Sequence, residues 1–86
     1  MHRLVIRDSA QKELQKLPRK LTARLIAKMA SLRDMPRMAG VTKLSRHDKL
    51  YRARVGDYRI VYEIDDAKEL ITVSLVAHRR DVYRDL

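Results

Sequence analysis

The spacing of apolar positions changes twice along the chain. Leu4, Val5 and Ile6 are consecutive β-prone residues between Arg3 and Arg7, which predicts a short strand. Ala10, Leu14 and Leu17 then recur at helical spacing, with Asp8 as the expected N-cap and Gln11 three residues on in a variant of the capping box. Pro18 either ends this helix or opens the next at its first position. A second, longer helix carries the stripe Leu21, Leu25, Met29 and Leu32, with Ile26 at its edge. It should stop before Pro36, because the residue preceding a proline is pushed out of the α region. The short link makes the two helices an αα-hairpin.

Beyond an irregular stretch from Pro36 to Lys49, in which Val41 to Leu44 could form a short edge strand, the period becomes two. Leu50 to Val55, Tyr58 to Ile64 and Leu70 to Ala77 are the expected strands, and Gly56-Asp57 suits a type II′ hairpin with Gly at its first central position. That turn sets Val55 opposite Tyr58, Arg54 opposite Arg59, Ala53 opposite Ile60, Arg52 opposite Val61 and Tyr51 opposite Tyr62. A four-residue loop Asp65-Asp66-Ala67-Lys68 would set Tyr62 opposite Ile71, Ile60 opposite Val73 and Tyr58 opposite Leu75. One face then stays apolar over three strands and should pack on the helices; a one-residue slip would turn it outward. The expected fold is α+β, one domain over residues 1–86: a first strand, a helical hairpin on an antiparallel sheet, and a short C-terminal helix capped by Asp81.

The other face of this sheet carries Leu50, Arg52, Arg54, Arg59, Val61, Glu63, Thr72, Ser74 and Val76. Arg54 and Arg59 become direct cross-strand neighbours, with Arg52 next along on the same side. Like charges directly opposite one another are destabilising, so the fold gains nothing from the cluster. A charged strand could discourage edge pairing, but that does not explain the concentration on one face. Three guanidiniums on a rigid sheet suit a phosphate, since each offers a planar fork of donors and stays charged.

Composition narrows the partners. The 86 residues hold 20 Lys and Arg against 11 Asp and Glu, a net charge of +9, which favours a polyanion. Residues 1–40 contribute +7, residues 41–64 +3 and residues 65–86 −1. The first surplus is what a solvated helix face would also show. The absence of Cys excludes disulfides and thiol chemistry and fits a reducing cytoplasm. Charges interrupt every apolar stretch before the roughly 18 residues of a membrane span, and the N-terminus has no signal-peptide hydrophobic region. Two Gly cannot build a phosphate-cradling loop, no cluster has metal-ligand spacing, and Ser9, Ser31, Ser45 and Ser74 lie in no nucleophile motif. No cofactor is expected. His78 suits a hydrogen-bonding strand end, while His2 and His47 carry no signal.

With Leu50-Tyr51-Arg52-Ala53-Arg54-Val55-Gly56-Asp57-Tyr58-Arg59-Ile60-Val61-Tyr62 and the ending His78-Arg79-Arg80-Asp81-Val82-Tyr83, the chain resembles the RelE/ParE superfamily of type II toxin–antitoxin toxins. The ending resembles the RelE branch of ribosome-dependent mRNA endonucleases. The resemblance implies a catalytic set of Arg52, Arg54, Arg59, Arg79 and Tyr83. Arg52 and Arg54 stand where the family often has Lys, and Tyr83 matches the tyrosine proposed to activate the nucleophile. The segment before Tyr83 is shorter than in the best-known member, which leaves Arg80 as the alternative to Arg79. Lys43, Arg46, Lys49, Arg80 and Arg84 are the further expected RNA contacts. Implied partners are an acidic RelB-like antitoxin, mRNA on the ribosome and ribosomal RNA, with operator DNA reached only through the antitoxin. The ParE branch, which inhibits DNA gyrase and cleaves nothing, and a non-catalytic binding module are the alternatives.

RNA is cut without a metal when its 2′-OH attacks the adjacent phosphate through a phosphorane of increased negative charge. Arg cannot be the base, since its pKa stays above about 12. Tyr83 could serve if neighbouring cations favour its phenolate. Arg52, Arg54 and Arg59 would stabilise the phosphorane and Arg79 the leaving 5′-oxygen.

Overall fold

The computed structural model describes residues 1–38, 40–44 and 50–81. In chain order it comprises β1 (Arg3–Ile6), α1 (Asp8–Gln15), α2 (Arg19–Asp34), β2 (Thr42–Lys43), β3 (Leu50–Val55), β4 (Tyr58–Asp65) and β5 (Leu70–His78). The strands form one sheet in the order β1-β5-β4-β3-β2, antiparallel except that β1 runs parallel to β5. The expected C-terminal helix lies outside the described residues.

Helix starts differ from expectation by a residue. Arg7 occupies the N-cap of α1 with no side-chain cap, and Asp8 is the first helical residue, where its charge still complements the helix dipole. Gln11 does reach back, its Nε2 donating to the Ile6 carbonyl at 2.9 Å. Pro18 is the N-cap of α2, so it opens the second helix rather than merely ending the first. Thr22 Oγ1 donates to the Leu14 carbonyl at 2.9 Å, satisfying a C-terminal acceptor of α1 and joining the two helices. The α2 helix stops at Asp34, ahead of Pro36.

The helices cover one sheet face. Ala10, Leu14, Leu25, Met29 and Leu32 meet Tyr51, Ala53, Val55, Ile60, Tyr62, Ile64, Ile71, Val73 and Val76 in a single core. Each fully buried Leu contributes about 1.5–3 kcal/mol. Ile26, at the stripe's edge, stays 50% exposed. No helix among the described residues is long and apolar enough to cross a membrane.

The β3–β4 register is the expected one, pair for pair. Gly56 has φ +56, as the first central position of a type II′ turn requires. The β4–β5 register is not the expected one. The strands extend to Asp65 opposite Leu70, so the four loop residues are 66–69, closed by Glu69 at φ +50. Tyr62 therefore faces Val73 rather than Ile71. A bulge then intervenes, after which Val61 faces Leu75, Ile60 faces Val76, Arg59 faces Ala77 and Tyr58 faces His78. Ser74 is the extra residue. Val76, expected beside the arginines, is instead buried under the helices, and Leu75 with Ala77 takes the opposite face.

Candidate phosphate-binding site

The bulge decides what stands beside the arginine pair. Side chains alternate along a strand, so the unbroken register would leave Val76 and His78 on the face of Arg59 and turn Arg79 toward the helices. With Ser74 inserted, Ala77 and Arg79 share the face of Arg59 instead. The Arg79 backbone N–H donates to the Asp57 carbonyl at 2.7 Å, anchoring the end of β5 to the β3–β4 turn.

Arg54 and Arg59 are paired across β3 and β4, and Arg52 lies two residues along from Arg54 opposite Val61. Arg59 Nη1 donates to the carbonyls of Gly56 and Tyr58, each at 3.1 Å, which fixes the guanidinium over the turn. Its pKa is held below the ordinary guanidinium value, first by desolvation and then by the charges of Arg54, Arg52 and Arg79, with Asp57 opposing. The charges of three other guanidiniums thus act on Arg59. Arg59 remains charged there, and an added anion would relieve the mutual repulsion.

Arg79 is the C-terminal arginine that reaches this cluster. The Arg80 backbone N–H donates to His78 Nδ1 at 3.2 Å, and alternation along the strand end places Arg80 on the opposite side from Arg79. His78 is occupied as a strand-end residue, with its ring edge-on to Tyr58 at 5.4 Å. Lys43 lies opposite Tyr51 on the edge strand, so it sits on the helix side of the sheet and not on the arginine face. Arg46, Lys49, Tyr83 and Arg84 fall outside the described residues.

Asp57 is the site residue that sequence reasoning missed. Its carboxylate Oδ1 stands 3.9 Å from Arg79 Nε, and its charge acts on Arg59. The Gly56-Asp57 pair was legible as a turn, but its link to Arg79 depends on the bulge at Ser74, seventeen residues further along the chain. Among the described residues no group of three His, Cys, Asp or Glu could hold a metal ion. What the arrangement offers chemically is fixed positive charge and many N–H donors on a stiff support, suited to the oxygens of a phosphate.

The chain matches a family described as the ParE toxin of type II toxin–antitoxin systems, parDE, over residues 4–83. It is 32% identical over 84 residues to the toxin RelE of Mycobacterium tuberculosis, covering 96% of this chain and 87% of that protein. Among solved structures it resembles the archaeal RelE–RelB complex of Pyrococcus horikoshii, with a TM-score of 0.82 at 30% identity over 91% of this chain and 94% of that one. The intact RelBE toxin–antitoxin complex of E. coli is similar with a TM-score of 0.81 at 26% identity, over 91% and 96% of the two chains. The chain belongs to the ParE toxin family of type II toxin–antitoxin systems, within the RelE/ParE superfamily that its central hairpin and C-terminal motif resemble.

Proposed function

We propose that the protein is a ribosome-dependent mRNA endonuclease that acts in the cytoplasm and is restrained by an acidic RelB-like antitoxin. The observation that carries this reading is the convergence of Arg52, Arg54, Arg59 and Arg79 on one sheet face, where Arg59 already feels the charge of the other three. In the reaction the mRNA 2′-oxygen attacks the adjacent phosphorus as its proton passes to the Tyr83 phenolate. The bond from phosphorus to the 5′-oxygen breaks, and that oxygen takes up a proton from water, leaving a 2′,3′-cyclic phosphate. Arg52, Arg54 and Arg59 stabilise the charge that grows on the phosphorane. Arg79, tethered to the turn by its backbone bond to Asp57, donates to the departing oxygen. Tyr83 enters through the family resemblance. The ribosome supplies the orientation of mRNA, because the described residues of the arginine face offer charge without a stacking array or base-reading pocket.

The RelB antitoxin of the solved RelE–RelB complexes supports a partner of that kind, and the net charge of +9 favours an acidic one. Ribosomal RNA is a further partner by the same charge argument. Operator DNA is reached only through the antitoxin. The ParE description of the matched family keeps gyrase inhibition as the alternative.

A purified translation system, with and without ribosomes, tests the proposal. Wild type cleaves mRNA only with ribosomes present, and Arg59→Ala slows cleavage about 10²–10³-fold through loss of one charge-stabilising donor. Inhibition of gyrase supercoiling with mRNA left intact overturns the endonuclease reading. Cleavage unchanged in both Arg59→Ala and Tyr83→Phe overturns the residue assignment while sparing the reaction.

A further inference from the structure

The strongest basic feature outside the arginine face lies on α2. Its 16 residues contain five Lys and Arg and, apart from Asp34 at the end, no acid. Lys20, Arg24 and Lys28 follow one another at four-residue intervals, on one helix face and about 6 Å apart along the axis. None of the ion pairs found among the described residues uses them. Helix stability does not explain the stripe. Like charges four residues apart repel, and Arg19 with Lys20 at the N-terminus oppose the helix dipole, where the first turn holds no acid.

The stripe meets the arginine face at one residue. Both terminal nitrogens of Arg24 lie 3.8 Å from the point where a Cβ would stand on Gly56. Arg59 Nη1 donates to the carbonyl of that same Gly56. Guanidiniums from the helix layer and from the sheet therefore approach a single turn residue from two sides. Glycine is needed here for its positive φ.

We propose that Lys20, Arg24 and Lys28 carry the arginine face over the Gly56 turn as a second phosphate site for one single-stranded RNA, with Arg24 as the contact that joins the two. The RNA strand crosses the hairpin tip with one phosphate on Arg52, Arg54 and Arg59 and its neighbours along α2. Regularly spaced cations in line with a phosphate-binding face complement a regularly charged backbone, and the contact reads no sequence. The inference rests on the RNA reading above for the identity of the polyanion, but not on cleavage.

Fluorescence anisotropy on the full chain without ribosomes tests it, using 2′-O-methyl RNA, which has no 2′-OH to react. A trinucleotide probe spans the arginine face alone, whereas a dodecanucleotide also reaches α2. Arg24→Gln weakens the dodecanucleotide about three- to tenfold and lowers its log–log salt slope by about 0.7, the single-strand value for one lost contact. The trinucleotide changes less than about twofold, consistent with a site the variant does not touch. Lys28→Gln behaves alike, Arg24→Lys restores the slope, and Arg54→Gln weakens both probes. Matching thermal melts of the variants and wild type exclude a folding defect. The proposal is overturned if the dodecanucleotide is unaffected, if both probes weaken together, or if wild type binds neither. Equal binding of a polyglutamate of matched charge also overturns it, and would assign the stripe to an acidic protein. A cleavage assay that fails while the probe-length effect holds removes the nuclease reading and leaves the track in place.

Discussion

Tyr62 shows what a single side chain adds to a pattern of apolar positions. Its alternation with Ile60 and Ile64 marks it as a core-facing residue, and it is fully buried. Its hydroxyl donates to the Pro36 carbonyl at 2.6 Å, a bond between β4 and the segment after α2 that spacing alone could not reveal. Burial, with the Tyr51 ring beside it, pushes its pKa above the ordinary phenol value, while Arg37 pulls the other way. Because the folded-state pKa is raised, this contribution to stability is complete below the unfolded pKa near 10 and is lost as pH rises toward the folded value. Tyr62→Phe leaves the Pro36 carbonyl without its donor and should cost about 1–3 kcal/mol in urea unfolding at neutral pH. The variant should also show a flatter loss of stability above pH ~10 than wild type. At the same scale Arg52, Arg54 and Arg59 were legible as neighbours, because the two-residue Gly56-Asp57 loop leaves the hairpin no freedom of register.

At the scale of elements, the strands β3, β4 and β5 all followed from sequence to within a residue, but the register of β5 on β4 did not. A loop of four polar residues can be cut at more than one place, and the choice of 66–69 over 65–68 shifts the facing pairs by two residues. The bulge at Ser74 has no side-chain signature in Val73-Ser74-Leu75-Val76, where nearly every residue suits either face. Packing settles it by placing Val76 against Ile60 under the helices. Val76→Ala should therefore destabilise the protein by about 2 kcal/mol through lost burial and the cavity left behind. Ser74→Ala, at the bulge, should stay within about 0.5 kcal/mol. Equal, small effects of the two substitutions in chemical denaturation would contradict the bulged register. The candidate site depends on the same element, since only the bulged strand turns Arg79 to the face of Arg59.

Across the whole molecule, charge is divided between opposite ends of the sheet. At the end away from the arginine face, Arg37 holds Asp66 through two contacts of 3.3 and 2.8 Å, and His2 Nε2 lies 3.3 Å from the same carboxylate. Arg37 Nε also donates to the Tyr51 hydroxyl at 3.1 Å, with its guanidinium 5.3 Å from the ring centre. Three distant segments meet there: the N-terminus, the stretch after α2 and the β4–β5 loop. The hydrogen bond from Arg37, followed by that from His2, holds the Asp66 carboxyl below its ordinary pKa. A depressed folded-state pKa means that its stabilisation is present above the unfolded value near 3.9 and is lost as pH falls through the folded one. Asp66→Asn should accordingly flatten the acid limb of stability below pH ~4, and added salt should reduce the difference from wild type because both groups are exposed.

Sequence by itself determined the two helices, the β3–β4 hairpin and the placing of Arg52, Arg54 and Arg59 on one face. Each depends on local rules: helical period, proline geometry and the φ that only glycine readily adopts in a two-residue turn. Tertiary structure alone decided that Arg79 joins them, that Lys43 stands on the other side of the sheet, and that Arg24 reaches the hairpin tip. Those placements depend on how a strand meets its neighbour and a helix meets a turn. Side-chain alternation reverses with one inserted residue, so a single bulge settled by core packing determines which charges share a face.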